Sequence, residues 1–333
     1  MACLFNELIK KIKTLNFPVW RSRLYVLGLI IGGLFFVYQL FIGINSIVIM
    51  KLTFDKPLLI IVSIGLSIII ALFQMFIWNK LMQELGIFIS FIDVIKGYEL
   101  SFLPRYIPGS IWGYASRSEW LSKEFKVAPE ITNIGSALEL VLFLIANLGW
   151  SLSVFLFSGW HKWILPLVSP FFSVLIIAIL KLLLNRGLFI IKFPSKLMLI
   201  LKRIRLFSWF YLSIQMVLFW ALQGFTLLLI LLNLEMLSPF ALNLVSNQYL
   251  NITGSYCLAW LIGFLIFFIP SGLGVREGFL SKELEKNYSL SHGISSSASI
   301  IMRIYLAFGE IFWILISVVI LKPKSKTKLD MNK

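Results

Sequence analysis

The 333-residue chain is 59% hydrophobic and only 14% charged, with a mean hydropathy of +0.92. Soluble domains carry about 25% charged residues, so these figures exclude an ordinary soluble globular domain and predict an all-α polytopic integral membrane protein. The formal net charge of +15 would argue for nucleic acid in a soluble protein, whereas here a basic face against anionic lipid headgroups accounts for it without that partner.

Residues 1–23 form a basic N-terminus with Lys10, Lys11, Lys13, Arg21 and Arg23. The apolar run that follows, 24–50, is too long for a signal peptide and lacks a small-residue cleavage site, so it reads as an uncleaved first span. Crossing about 30 Å of hydrocarbon takes about 20 apolar residues, and further spans are predicted at 57–78, 131–158, 163–184 and 208–232. Two more apolar stretches, 240–269 and 295–321, are interrupted or flanked by polar residues, which gives about six to eight transmembrane helices in a single membrane domain. Trp20, Trp160 and Trp163 near span ends read as an aromatic belt.

Lysine and arginine crowd the N-terminus, the gap between 184 and 208, and the tail at 322–333. By the positive-inside rule all three face the cytoplasm, while the gaps at 159–162 and 233–239 read as external. Five spans from the inside end outside, so 238–321 must cross an odd number of times. The segment ending at Pro270 is therefore expected to enter and return as a re-entrant hairpin over 240–286, with 295–321 as the only crossing. Ser246, Asn247, Gln248, Asn251, Thr253, Gly254 and Ser255 suit a broken helix.

A second such unit is predicted at 85–120, where Pro108 and Gly109 break the chain between Arg105 and Arg117. Asp93, Lys96 and Glu99 recur every three residues there and should form the solvated side of an interfacial helix. Charge parity brings this unit in from the inside and the later one from the outside. Two broken units inserted from opposite faces describe an inverted repeat with a substrate site near the midplane.

Arg105, Arg117, Glu139, Arg276, Glu277, Arg303 and Glu310 lie in or beside apolar segments, at a cost of about 2.5–3.5 kcal/mol each at a helix centre. They should face an interior cavity. Arginine matches a phosphate with a planar fork of donors, and a half-helix opened by Pro270, Gly272 and Gly274 presents free backbone N–H groups. A lipid phosphate headgroup fits such a site, with Arg105, Arg117, Arg276 and Arg303 binding it. Glu139, Glu277 and Glu310 are then switching or proton-carrying groups, Glu277 holding Arg276 when the site is empty. The plainer reading is also open: snorkelling charges at helix starts, and Glu139 paired structurally with an arginine.

Cys3 and Cys257 are too few for a disulfide frame, and His161 and His292 too few for a His-based metal site. No P-loop string is present, and no cofactor is expected.

Two strings carry a family resemblance. "RYIPGSIWGYASR" at 105–117 and "PSGLGVREG" at 270–278 resemble the paired signatures of the flippase-like family related to the transmembrane domain of lysylphosphatidylglycerol synthase. Ser136, Glu139 and Arg303 fall where that family carries similar polar positions, and the resemblance covers nearly the whole chain. Ser110 and Ser271 depart from it, standing where the family often has a basic residue and a glycine. The resemblance implies translocation of an anionic phospholipid or a polyprenyl-phosphate-linked lipid across the plasma membrane, with both termini cytoplasmic. The synthase's soluble domain has no counterpart here, so aminoacyl transfer is not expected. Two alternatives stay open: a non-catalytic membrane partner of a separately encoded lipid synthase or glycosyltransferase, and an integral-membrane lipid-modifying enzyme. Asp55, Asp93 and Asp330 are too scattered to favour the enzyme.

Overall fold

The computed structural model describes residues 56–99, 112–185, 203–234, 242–266 and 269–320, with the separate positions 34, 37, 38, 41, 45, 101, 104, 200 and 201. Among the described residues the regular structure is helical. The order is α1 (Pro57–Glu84), α2 (Phe91–Glu99), α3 (Trp112–Glu124), α4 (Pro129–Leu156), a 3₁₀ turn (Gly159–Trp163), α5 (Ile164–Asn185), α6 (Leu206–Asn233), α7 (Leu242–Leu265), a 3₁₀ turn (Pro270–Gly272), α8 (Val275–Tyr288) and α9 (His292–Ile320). Proline opens α1 and α4, the position where its missing N–H costs no hydrogen bond.

Five of these helices are long and apolar enough to cross a membrane: 57–84, 129–156, 161–183, 206–233 and 292–317. They match five of the predicted spans. Apart from the separate positions 34, 37, 38, 41 and 45, the first predicted span lies outside the described residues, as do the basic N-terminus, the tail and the break at Pro108–Gly109.

The chain between 242 and 265 departs from expectation, because α7 is one continuous helix. Three of its polar residues have partners within the protein. Asn251 accepts from Lys162, the Ser255 hydroxyl accepts from Asn287, and Thr253 bonds back to the Tyr249 carbonyl within the helix. Polar side chains that find partners inside the bundle leave the backbone ladder intact. The chain breaks at 269–274, the break read from Pro270, Gly272 and Gly274, and there Ser271, Gly272 and Gly274 all take positive φ. Trp163 also departs from the belt assignment, since it packs edge-on against Trp150 and beside Tyr249.

Two helical hairpins follow the same plan. The short α3, 13 residues, folds back along the 28-residue α4, and the short α8, 14 residues, along the 29-residue α9. Each is pinned by an ion pair a little over a third of the way along its long helix: Arg117 with Glu139, and Glu277 with Arg303. At about 1.5 Å of rise per residue, the N-terminus of each short helix lies roughly halfway along its long neighbour. The long helices then exchange partners, α9 packing on α1 while α4 packs on α6, and α7 on α4 while α2 packs on α9.

Lipid supplies no hydrophobic drive between helices, so close approach through small residues holds such a bundle together. Gly224 of α6 faces Thr253, Gly254 of α7 faces the Trp150 carbonyl, and Gly309 of α9 faces the Ser67 backbone. Indole N–H groups tie the same helices: Trp150 to the Val217 carbonyl at 3.2 Å, Trp220 to Phe143 at 3.2 Å and Trp313 to Ile68 at 3.0 Å. Trp78, Trp150, Trp209 and Trp220 are the largest fully buried side chains.

A methyl group at Gly309 would meet the backbone of Ser67 rather than a flexible side chain. Gly309→Ala should therefore cost roughly 1–3 kcal/mol, the usual penalty of overpacking, read as a lower thermal unfolding midpoint in detergent. Gly65, which has open space around it, should tolerate the same change.

Candidate functional site

A cavity of about 200 Å³ lies where the two hairpins meet, with α1, α3, α6, α7, α8 and α9 contributing to its wall. Arg117, Arg276, Glu277, Arg303 and Glu310 line it. These charges, scattered through the sequence, converge on one space. Arg303 and Glu310 share that wall because seven residues make two turns of one helix. Arg105, Pro108 and Gly109 lie outside the described residues, and Glu139 stands behind Arg117 rather than on the wall.

The two ion pairs differ in how far they are committed. Arg117 Nη2 donates to Glu139 Oε2 at 2.7 Å and Nη1 to Oε1 at 3.2 Å. Both side chains are almost wholly buried, at 3% and 1% exposed. The guanidinium is also ringed by aromatic faces, with Tyr98 at 4.2 Å, Tyr114 at 5.1 Å and Trp78 at 5.3 Å from its central carbon. A planar fork bound at two points and enclosed by π faces has little left to offer a ligand. Arg117 and Glu139 thus form a strut between α3 and α4, the pairing that a buried glutamate in an apolar span leaves open.

The second pair is built differently. Glu277 accepts from the Gly274 N–H at 2.6 Å through Oε2, while Oε1 holds Arg303. Arg303 also points a second nitrogen toward the Ser271 hydroxyl at 3.4 Å. Its side chain is 20% exposed against 3% for Glu277, so the cation of this pair is the part that reaches open space. The carboxylate caps α8, an acidic group in the first helical turn where the dipole favours it. The Gly274 amide expected to face an anion is occupied by this cap.

Glu277 therefore holds Arg303 and not Arg276. Adjacent residues on a helix point to different sides, so Arg276 and Glu277 diverge. Arg276 lies over Trp260 with its guanidinium carbon 4.8 Å from the ring centre, and its stem runs along Gly263, where any Cβ would meet it. Gly272, at φ +62°, comes close to the same glycine. The Pro-Gly turn thus folds α8 back tightly enough to press Arg276 into a slot between a glycine and an indole. Trp260 continues into a cluster with Phe143, Trp220 and Phe264 at centroid distances of 4.7, 5.3 and 5.2 Å, which ties this slot to α4 and α6.

Several wall residues were not singled out from the sequence, among them Gln74, Gln223, Tyr256 and Trp260. The two glutamines carry a legible signal, uncharged polar side chains inside otherwise apolar spans. The aromatic residues carry none, because aromatic residues are 15% of the chain.

Arg117→Ala would leave Glu139 buried and unpaired, and breaking such a pair costs about 3–5 kcal/mol. The single variant should fold poorly, and the double variant Arg117→Leu with Glu139→Leu should recover most of the thermal midpoint. Gly263→Ala should displace Arg276 and lower the thermal midpoint as well, since the new Cβ would meet the Arg276 Cγ close to its backbone.

No protein-family model, curated protein or solved structure matches the chain.

Proposed function

We propose that this protein moves a lipid with an anionic phosphate headgroup, a phospholipid or a polyprenyl-phosphate-linked lipid, across the plasma membrane. The observation that carries the reading is the convergence of Arg276 and Arg303 on a cavity between two hairpins whose short helices start about halfway along their long neighbours. A headgroup near the bilayer midplane needs cations there, and charges at that depth are costly unless they serve a site or a partner. The segments 85–120 and 240–286 act as re-entrant units inserted from opposite faces, and the exchange of partners between α1, α2, α4 and α6, α7, α9 supports an inverted repeat. With both termini in the cytoplasm, the first unit enters from inside and the second from outside.

In this mechanism Arg276 receives the phosphate and Arg303 exchanges Glu277 for it. A phosphate accepts the same forked hydrogen bonds as a carboxylate, so the exchange keeps Arg303 paired while it frees Glu277 from α9. Glu277 then remains tied to Gly274 alone, and the α8–α9 contact loosens on one side of the cavity. Arg117 and Glu139 do not take part, and the first hairpin serves as the fixed wall. Glu310, one wall further along α9, sets the charge balance of the emptied site.

Fluorescent anionic and zwitterionic phospholipids in liposomes, read by dithionite quenching, test the reading. The wild-type protein should move the anionic lipid. Arg276→Ala, which removes a charge-assisted hydrogen bond of about 1.5–3 kcal/mol, should slow it by roughly tenfold or more. Glu277→Gln keeps an acceptor for the Gly274 amide but loses the ion pair, so flux should change while the fold persists. No movement of any tested lipid by correctly inserted protein, or movement untouched by both substitutions, would overturn the site assignment.

A further inference from the structure

Gln223 occupies a place on the cavity wall that the charge argument leaves unexplained. It lies on α6 and is 7% exposed, and its side-chain oxygen is buried without a hydrogen-bond partner. Buried polar atoms are nearly always satisfied, and an exception calls for a cause. Other buried uncharged atoms also lack partners, on Trp78, Asn79, Trp209, Gln215 and Asn233, but none of those residues is on the cavity wall. Among the described residues, Gln223 is thus the one uncharged side chain with such an atom that belongs to the wall of the cavity shared by Arg276 and Arg303.

We infer that Gln223 is a specificity-determining residue, and that its carboxamide binds a hydroxyl group carried next to the phosphate of the ligand. The inference deepens the lipid-translocation reading and rests on it for the phosphate. A carboxamide offers an acceptor and two donors at fixed spacing, and which end points inward is interchangeable by a flip of the amide. Either orientation suits a hydroxyl, which can donate or accept. A second glutamine, Gln74 of α1, lines the same cavity, as does Tyr256, an aromatic neighbour for the C–H groups of a polyol. Carboxamides beside aromatic faces suit a hydroxylated phosphodiester, with either glycerol or a sugar beyond the phosphate. The carboxamide does not suit a headgroup that ends in methyl groups, which leaves it without a hydrogen-bond partner. A site made to bond a hydroxyl discriminates against an analogue that lacks it, because its own polar group then stays buried and unpaired.

Phosphatidylglycerol and phosphatidylmethanol carry the same single phosphodiester charge and differ in a dihydroxylated two-carbon extension, so the change in their ratio on substituting Gln223 reads the effect of that residue. Binding of each to the purified full-length protein in detergent is measured by native mass spectrometry, with a polyprenyl-phosphoryl glucose as a third probe. Wild-type protein should prefer phosphatidylglycerol or the polyprenyl sugar over phosphatidylmethanol by about tenfold, and whichever hydroxylated probe binds more tightly identifies glycerol or sugar as the source. Gln223→Met, close in size and apolar, should bring the preference near unity. It should also leave the lipid-free thermal midpoint unchanged or higher, because an unpaired buried amide adds nothing to the fold. Gln223→Leu gives a second apolar replacement, should methionine repack the cavity. Equal binding of phosphatidylglycerol and phosphatidylmethanol by wild-type protein, or a preference that survives both substitutions, would overturn the inference and leave translocation standing. A hydroxyl preference in binding without flux in liposomes would overturn translocation and leave the subsite standing.

Discussion

A charged group in a medium without water must find its counter-charge in the protein, and the rest of this structure depends on how Arg117, Glu139, Glu277 and Arg303 do so. Each pair joins a short helix to the long helix that follows it, with the arginine on the short helix in the first hairpin and on the long helix in the second. Removing one member of a buried pair is far more damaging than removing both. The pairs therefore fix which helices fold together as well as how firmly they are held.

What separates the two pairs is their surroundings. Three aromatic rings and two direct hydrogen bonds enclose Arg117, while Arg303 borders the cavity and shares its carboxylate with a backbone amide. The same chemistry gives an enclosed strut in one hairpin and a pair that borders open space in the other. Glycine makes that second side compact, since Gly263 and Gly272 let the turn close onto Arg276. A side chain at Gly272 would also have to adopt φ +62°, which only glycine accepts without strain.

The surface of the bundle follows from the same medium. Large apolar side chains such as Phe155, Leu167, Phe171 and Phe207 are exposed, on a scale that would promote association in water but that matches a lipid-facing perimeter. Serines, threonines and glutamines turn inward, where Ser213 and Ser173 bond at 2.6 Å and Ser118 bonds Thr132 at 2.7 Å. The exterior is apolar where a soluble protein would be polar, and the buried polar side chains sit within an interior that is itself mostly apolar.

Hydropathy by itself determined the helical membrane class and five of the long helices, because about 20 consecutive apolar residues have few other uses. It also marked the second break, since Pro270, Gly272 and Gly274 cluster where an apolar run ends. The continuity of α7 was not legible, because whether Asn251 and Ser255 break a helix or bond to Lys162 and Asn287 depends on what the fold brings beside them. Charge identity marked Arg117, Glu139, Glu277 and Arg303 as expensive residues that require partners. Only the tertiary structure decided the pairing, which runs across 22 and 26 positions and sends Glu277 to Arg303 instead of the neighbouring Arg276. The physical reason is that a linear sequence states the cost of burying each charge, while the direction in which each helix presents its side chains settles where that cost is met.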